Sequence, residues 1–223
     1  MPSAISPFDI VADPTDGYLK PDFFRSLQTQ AATVIDVGVS RGTRWLYRSF
    51  PDARFILVDP LPGFEDTLIE PPKLYQCLNL GLGSAKGQMD LDLRGPRSSV
   101  HTWSEKSNST SEGRVQVQIE TLDTLIEEHI PSGGIGLKID TEGHEVEVLR
   151  GLDRHRERVE FIVCECSIRR RFADDYRFSE LIAELAAKGF ELYNVLSLQK
   201  PRPVHYDCLF LRSDDRRFGL GGI

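Results

Sequence analysis

The chain has 223 residues, 40% of them hydrophobic and 27% charged, the balance of a soluble globular fold long enough for one sizeable core. A net charge of −7 and a pI of about 5.3 argue against nucleic acid or an anionic membrane surface as the main partner. No apolar run approaches the roughly 18 residues of a membrane span.

The opening "MPSAISPFDI" lacks the basic start and long apolar core of a secretory signal. Residues 1–30 read as an N-terminal extension in which "DGYLKPDFFRSL" forms a helix that covers the pocket. "TVIDVG" (33–38) reads as a first buried strand, and "TRWLYRSF" (43–50) as a helix stopped by Pro51. "RFILVD" (54–59) is a second strand, "PGFEDTLI" (62–69) a short helix and "KLYQCLNL" (73–80) a third strand. "QMDLDL" (88–93) and "VQVQIE" (115–120) alternate with period two, the former as a strand added over one face. Between them, residues 94–114 are one long polar loop, a length that in a compact domain usually marks function or disorder.

"TLDTLIEEHI" (121–130) reads as a helix capped by Thr121 and stopped by Pro131-Ser132-Gly133-Gly134. "IGLKID" (135–140) is a fourth core strand, followed by a helix over 145–152 and a fifth strand, "VEFIVCEC" (159–166). Arg169-Arg170-Arg171 reads as a solvated loop. "FSELIAELAAKGF" (178–190) is an amphipathic helix with Gly189 at its C-cap, and strands at 190–198 and 206–212 form an antiparallel hairpin at the edge. Strands alternating with helices specify an α/β fold with a mostly parallel sheet covered on both faces. Cys77, Cys164, Cys166 and Cys208 lie in apolar runs, as reduced core residues of a cytoplasmic protein without disulfides or a zinc site.

In an open parallel sheet, ligands bind at the carboxyl ends of the strands. The first strand runs into "DVGVSRG", Asp36 to Gly42, and the second ends in Asp59, where a carboxylate can accept from both hydroxyls of a ribose. A dinucleotide site wants a glycine where this loop has Val39-Ser40, and a phosphate loop of the G-x-x-x-x-G-K-S/T type is absent. The spacing suits S-adenosylmethionine, with Asp36 among the residues that bind it, its amino-acid part at Gly38, Ser40, Arg41 and Gly42, its ribose at Asp59 and its adenine near Asn79. A nicotinamide-dependent oxidoreductase and a non-catalytic cofactor-binding module are the alternatives.

"VIDVGVSRG", "FILVDP", "LGLGSAKGQMDL", "SSV", "IETLDTLI", "LKIDTEGHEVEVLRG" and "VCECS" occur in an order that resembles FkbM-type methyltransferases over about residues 32–170. The resemblance implies a Rossmann-like seven-stranded methyltransferase fold over 31–213, with 214–223 as a tail. It also implies S-adenosylmethionine as donor and transfer to a hydroxyl oxygen of a sugar, glycan or secondary metabolite. Asp140 then faces the cofactor's ammonium or the acceptor, and Asp140, Glu142 and His144 are the candidates for the base, with His101 a further one; a surface position in the first helical turn is the alternative for His144. Lys138, inside an apolar strand, needs a carboxylate partner, either Glu165 or Asp36. Ser98 and Ser99 match the family's serine pair, and His101 and Trp103 join them on the acceptor side, with Glu165 in the floor. Asp140, Glu142 and Glu165 are hard oxygen donors of the kind Mg²⁺ takes, but no spacing demands a metal and none is expected.

Overall fold

The apolar runs assemble into one large sheet in the computed structural model, which describes residues 19–94, 98–99, 112–170, 172, 175–198 and 201–219. In chain order the elements are α1 (Pro21–Ser26), β1 (Ala31–Val37), α2 (Arg44–Ser49), β2 (Arg54–Val58), β3 (Tyr75–Leu78), β4 (Gly81–Leu82), β5 (Gly87–Asp92) and β6 (Arg114–Glu120). They continue with α3 (Leu122–His129), β7 (Gly134–Ile139), α4 (Glu145–Arg150), β8 (Val159–Ser167), α5 (Phe178–Ala187), β9 (Phe190–Val195) and β10 (His205–Arg212). The seven-stranded sheet has the order β3-β2-β1-β7-β8-β10-β9, and β4-β6-β5 form a small second sheet.

From β3 to β8 the pairings are parallel, which buries both faces and explains the near-continuous apolar runs. β9 and β10 form the expected antiparallel hairpin at the edge, with β10 seated antiparallel between β8 and β9 so that β9 is the edge strand. The period-two runs at 88–93 and 115–120 pair antiparallel in the second sheet. The third strand is shorter than its apolar run, because the chain leaves the large sheet after Leu78 and joins the small one at Gly81. The helix expected over 62–69 contracts to one 3₁₀ turn, Phe64–Thr67, entered through Gly63 at φ 73°. α3 starts as its cap residue predicts, with Thr121 Oγ1 accepting from Thr124 N at 3.1 Å. Gly189 takes φ 82° just past α5, as expected.

Residues alternate across the strands. Ile35, Val37, Leu137, Ile139, Ile162 and Cys164 share a core with α3, α4 and α5. The other face carries Phe161 and Val163 under α1, whose Phe23, Phe24 and Leu27 are buried there, so α1 is part of this core. Phe24 stacks on Trp45 of α2 with ring centroids 5.0 Å apart. On this second face each strand turns from apolar to ionisable towards one end of the sheet. Val34 is followed by Asp36, Gly136 by Lys138 and Val163 by Glu165; β10, running the opposite way, has Asp207 before Leu209. That end is where the cavities lie.

Candidate functional site

The loop after β1 is built on close approach. Gly38 has φ 75°, and a Cβ there would overlap the carbonyl oxygen of Asp140 at the end of β7, so only glycine lets the two chain segments touch. Asp140 N donates to Val37 O at 3.0 Å, and Gly38 N to Val58 O at 2.9 Å. Asp59 fastens the loop to β2: its Oδ2 accepts from Ser40 N at 2.8 Å and its Oδ1 from Leu61 N at 2.9 Å. Burial raises the Asp59 carboxyl above its ordinary range, against the pull of those two N–H groups. Asn79 Nδ2 donates to the carbonyls of Asp59 (2.9 Å) and Leu61 (2.8 Å), which clamps this turn from outside; Asn79 lines neither cavity described next.

Two cavities meet at this loop. The narrower, of about 300 Å³, has apolar walls from Val37, Val58, Pro60, Leu61, Leu82, Leu91 and Ile119. Its polar lining is Ser40, Asp59, Ser98, Ser99, Asp140, Thr141, Glu142 and His144. The wider, of about 740 Å³, opens on the α1–α2 face, with Arg41, Arg44, Trp45 and Arg48 on one side and Lys138, Asp140, Glu165 and Asp207 on the other. Gly38, Ser40 and Asp140 belong to both. Ser99 Oγ donates to Glu142 O at 2.9 Å, and Ser99 bridges to Asp92, so the serine pair is tied to the turn after β7. His144 is buried at 7% exposure, which excludes the solvated first-turn position.

Lys138 is the electrostatic centre of the wider cavity. Its Nζ lies 3.2 Å from Asp36 Oδ1 and 3.4 Å from Asp140 Oδ2, and donates to Gly38 O at 3.0 Å. Burial works against its charge, but Asp36 and Asp140 outweigh burial and hold its pKa above the ordinary lysine value. Of the two partners the sequence offered, Asp36 is the one it takes. Asp36 is fully buried, lines neither cavity and accepts from Tyr47 Oη at 2.9 Å, so it acts on the site through Lys138. Asp140 is raised by burial, with Lys138 opposing. Glu165 pairs with His205 Nδ1 at 2.9 Å. Beside it in register, Asp207 is pushed up to about 6 by burial and by the charges of Asp140 and Glu165. Arg44 and Arg48 both pair with Glu70.

The structure thus gathers Gly38, Ser40, Asp59, Ser98, Ser99, Asp140, Glu142 and His144 around the narrower cavity, and Arg41, Gly42 and Glu165 around the wider one. His101 and Trp103 lie outside the described residues. Asp207, Glu145 and Tyr47 were not anticipated. Two of them carry a signal in the sequence: Asp207 is in phase with the apolar face of Leu209 and Leu211, and Glu145 with the stripe of Val148, Leu149 and Leu152. Among the described residues no group of three His, Cys, Asp or Glu side chains could hold a metal ion, and no helix is long and apolar enough to cross a membrane. All four cysteines are free, three of them buried.

A family model described as "Methyltransferase FkbM domain" matches residues 36–192. The methyltransferase sdnD of Sordaria araneosa is 28% identical over 168 residues, which cover 59% of this chain and 65% of that protein; the chain therefore spans under two thirds of that relative. Among solved structures, magnesium protoporphyrin IX methyltransferase of Synechocystis PCC 6803 with bound SAM superposes with a TM-score of 0.48 at 8% identity, over 86% of this chain and 76% of that one. Fibrillarin of Aeropyrum pernix in complex with S-adenosyl-L-methionine also gives 0.48, at 13% identity over 82% and 67%.

Proposed function

The chain belongs to the FkbM methyltransferase family and uses S-adenosylmethionine as its donor, and from that premise we propose that it methylates a hydroxyl oxygen of a sugar, glycan or secondary metabolite. The observation that supports the donor's place in this reading is the pair of dissimilar cavities meeting at Gly38, Ser40 and Asp140, while the hydroxyl acceptor rests on the family resemblance. The donor has matching halves, an apolar nucleoside with a diol and a zwitterionic amino acid. The apolar cavity with Asp59 at its edge suits the first. The cavity with Arg41 on one side and Asp140 and Asp207 on the other suits the second. The nicotinamide alternative has no support in the family, and this loop offers Val39-Ser40 where a pyrophosphate needs a glycine.

Bound donor supplies an electrophilic methyl group on a sulfonium. The remaining work falls to the chain. Asp59 holds the Ser40 and Leu61 amides and keeps lone pairs for the ribose hydroxyls. Lys138 draws Asp36, Asp140 and the Gly38 carbonyl together, which fixes the junction of the two cavities. Ser98, Ser99, Glu142 and His144 form the wall open to an acceptor. Holding the acceptor in line can remove about 7–11 kcal/mol of the barrier, whereas a base adds about 10²–10⁴-fold. Positioning is therefore the larger effect, and in this reading His144 takes the hydroxyl proton. Free thiols fit a reducing, cytoplasmic setting.

The test uses donor labelled with ¹³C on the methyl group and a panel of sugars, glycosides and polyols. A product methyl with the shift and couplings of a methyl ether supports the proposal. Label found on nitrogen or carbon refutes oxygen transfer. His144→Gln should then lower turnover about 10²–10⁴-fold and leave S-adenosylhomocysteine affinity within about twofold, with part of the loss recovered at high pH.

A further inference from the structure

Glu145 lines neither cavity and is fully buried at the start of α4, yet its carboxylate is heavily used. Oε1 accepts from Thr141 N at 2.9 Å, Gly143 N at 3.1 Å and Thr141 Oγ1 at 3.2 Å. Oε2 is buried with no hydrogen-bond partner among the described residues. The turn it grips is strained: Glu142 has φ 52° and Gly143 φ 101°. The strain lies at Glu142, since a side-chain-bearing residue there pushes Cβ against its own carbonyl, whereas Gly143 takes its angle freely. A Cβ at Gly143 would meet the ring of Phe172, so the turn is held between that ring and the Glu145 carboxylate. Its opposite side is the wall of the narrower cavity, where Thr141, Glu142 and His144 are exposed to a ligand and Ser99 is tied to Glu142 O.

We propose that Glu145 is the positioning residue of the transfer site: from within the core it holds the 141–143 turn in the left-handed form that presents Thr141, Glu142 and His144 to the donor and acceptor. The proposal rests on reading the narrower cavity as part of the S-adenosylmethionine site. The groups facing Glu145 are Cys164 and Glu165 of β8 and Tyr176 ahead of α5, with Asp175 close to Gly143. Burial, and then the charge of Glu165, push the carboxyl up to about 7, so it carries a proton over much of the acidic range. With three donors on Oε1, that proton sits on Oε2. Glutamine reproduces this state, with an acceptor on the turn and a donor on the orphan side.

The test compares wild type with Glu145→Gln and with the volume-matched Glu145→Met, using S-adenosylhomocysteine as the calorimetric probe and amide hydrogen exchange over residues 140–146. Glu145→Gln should bind within about threefold of wild type and keep the Thr141 and Gly143 amides protected. Glu145→Met should bind about tenfold more weakly or worse, the loss of one to two net hydrogen bonds, with faster exchange confined to the turn. Equal binding and equal exchange in all three proteins overturn the proposal. So does uniform loss of protection across the sheet in Glu145→Met, which marks a general stabilising role. Should Glu145→Met not fold, the wild-type amides decide alone: exchange of Thr141 and Gly143 at unprotected rates overturns it. Wild type that fails to bind the probe at all would instead refute the reading of the cavity, a distinguishable result.

Discussion

Replacing Lys138 by methionine should cost about 3–5 kcal/mol of stability, the usual price of stranding a buried charge. The magnitude comes chiefly from Asp36, which is fully buried and, among the described residues, keeps only the Tyr47 hydroxyl once the ammonium is gone. Asp140 contributes less, because its side chain is 35% exposed to the cavity and water can take the place of the lysine. For a domain of this size the loss corresponds to a fall in melting temperature of about 6–20 °C. The assay is urea unfolding at pH 7.5, followed by fluorescence of the two tryptophans. The double variant with Asp36→Asn should recover more than half of the loss, since asparagine needs no counter-charge and still accepts from Tyr47. S-adenosylhomocysteine affinity should stay low in the double variant, because the Gly38 carbonyl has lost its ammonium donor. A single variant within about 1 kcal/mol of wild type, or a double variant no better than the single, would refute the reasoning.

Three further outcomes follow from the same geometry. Gly38→Ala should destabilise by more than about 3 kcal/mol and abolish probe binding in calorimetry, because the new methyl meets the Asp140 carbonyl at a backbone angle that alanine avoids. Asp59→Asn should weaken S-adenosylhomocysteine by about tenfold or more in the same assay, because an amide cannot accept from Ser40 N and Leu61 N on both of its heavy atoms. Asp207 and Glu145 have folded-state pKa values raised to about 6 and about 7, so the native state retains protons that the unfolded chain releases. Their contribution is complete below the unfolded values near 4 and is lost as pH rises through 6 and 7; the urea midpoint should be lower at pH 8 than at pH 5.5, and Asp207→Asn should narrow that difference.

Much of the fold was legible because a parallel sheet buried on both faces writes itself as apolar runs broken by turn residues, and β1, β2, β7 and β8 all follow that rule. Strand order at the C-terminal edge was not legible. Insertion of β10 beside β8 depends on which edge is open when the chain returns, and nothing local to 205–212 records that. In the site, glycines and strand-end carboxylates stood out by type and spacing, as Gly38 and Asp59 did. The contacts of Asp36 and Asn79 were not legible: one is the buried partner of Lys138 and the other clamps the turn after β2. Glu145 and Asp207 were hidden by their surroundings. Each sits in phase with an apolar stripe, and a charged residue there has meaning only when its partners, far away in sequence, are known.

The placement of β10 bears on how the protein is made. β8 is synthesised with one long edge unpaired, and the strand that covers it begins only at His205. At about 5–20 residues per second of synthesis, the stretch from Ser167 to His205 takes about 2–8 s to appear. Throughout that interval "VEFIVCECS", almost wholly destined for burial, is an open template for any other strand. Slowing initiation, so that nascent chains are sparse, should raise the soluble yield more than slowing elongation, which lengthens the exposure. A chain cut anywhere between 168 and 204 keeps that edge open permanently and should aggregate, even though the loop after β1 is complete.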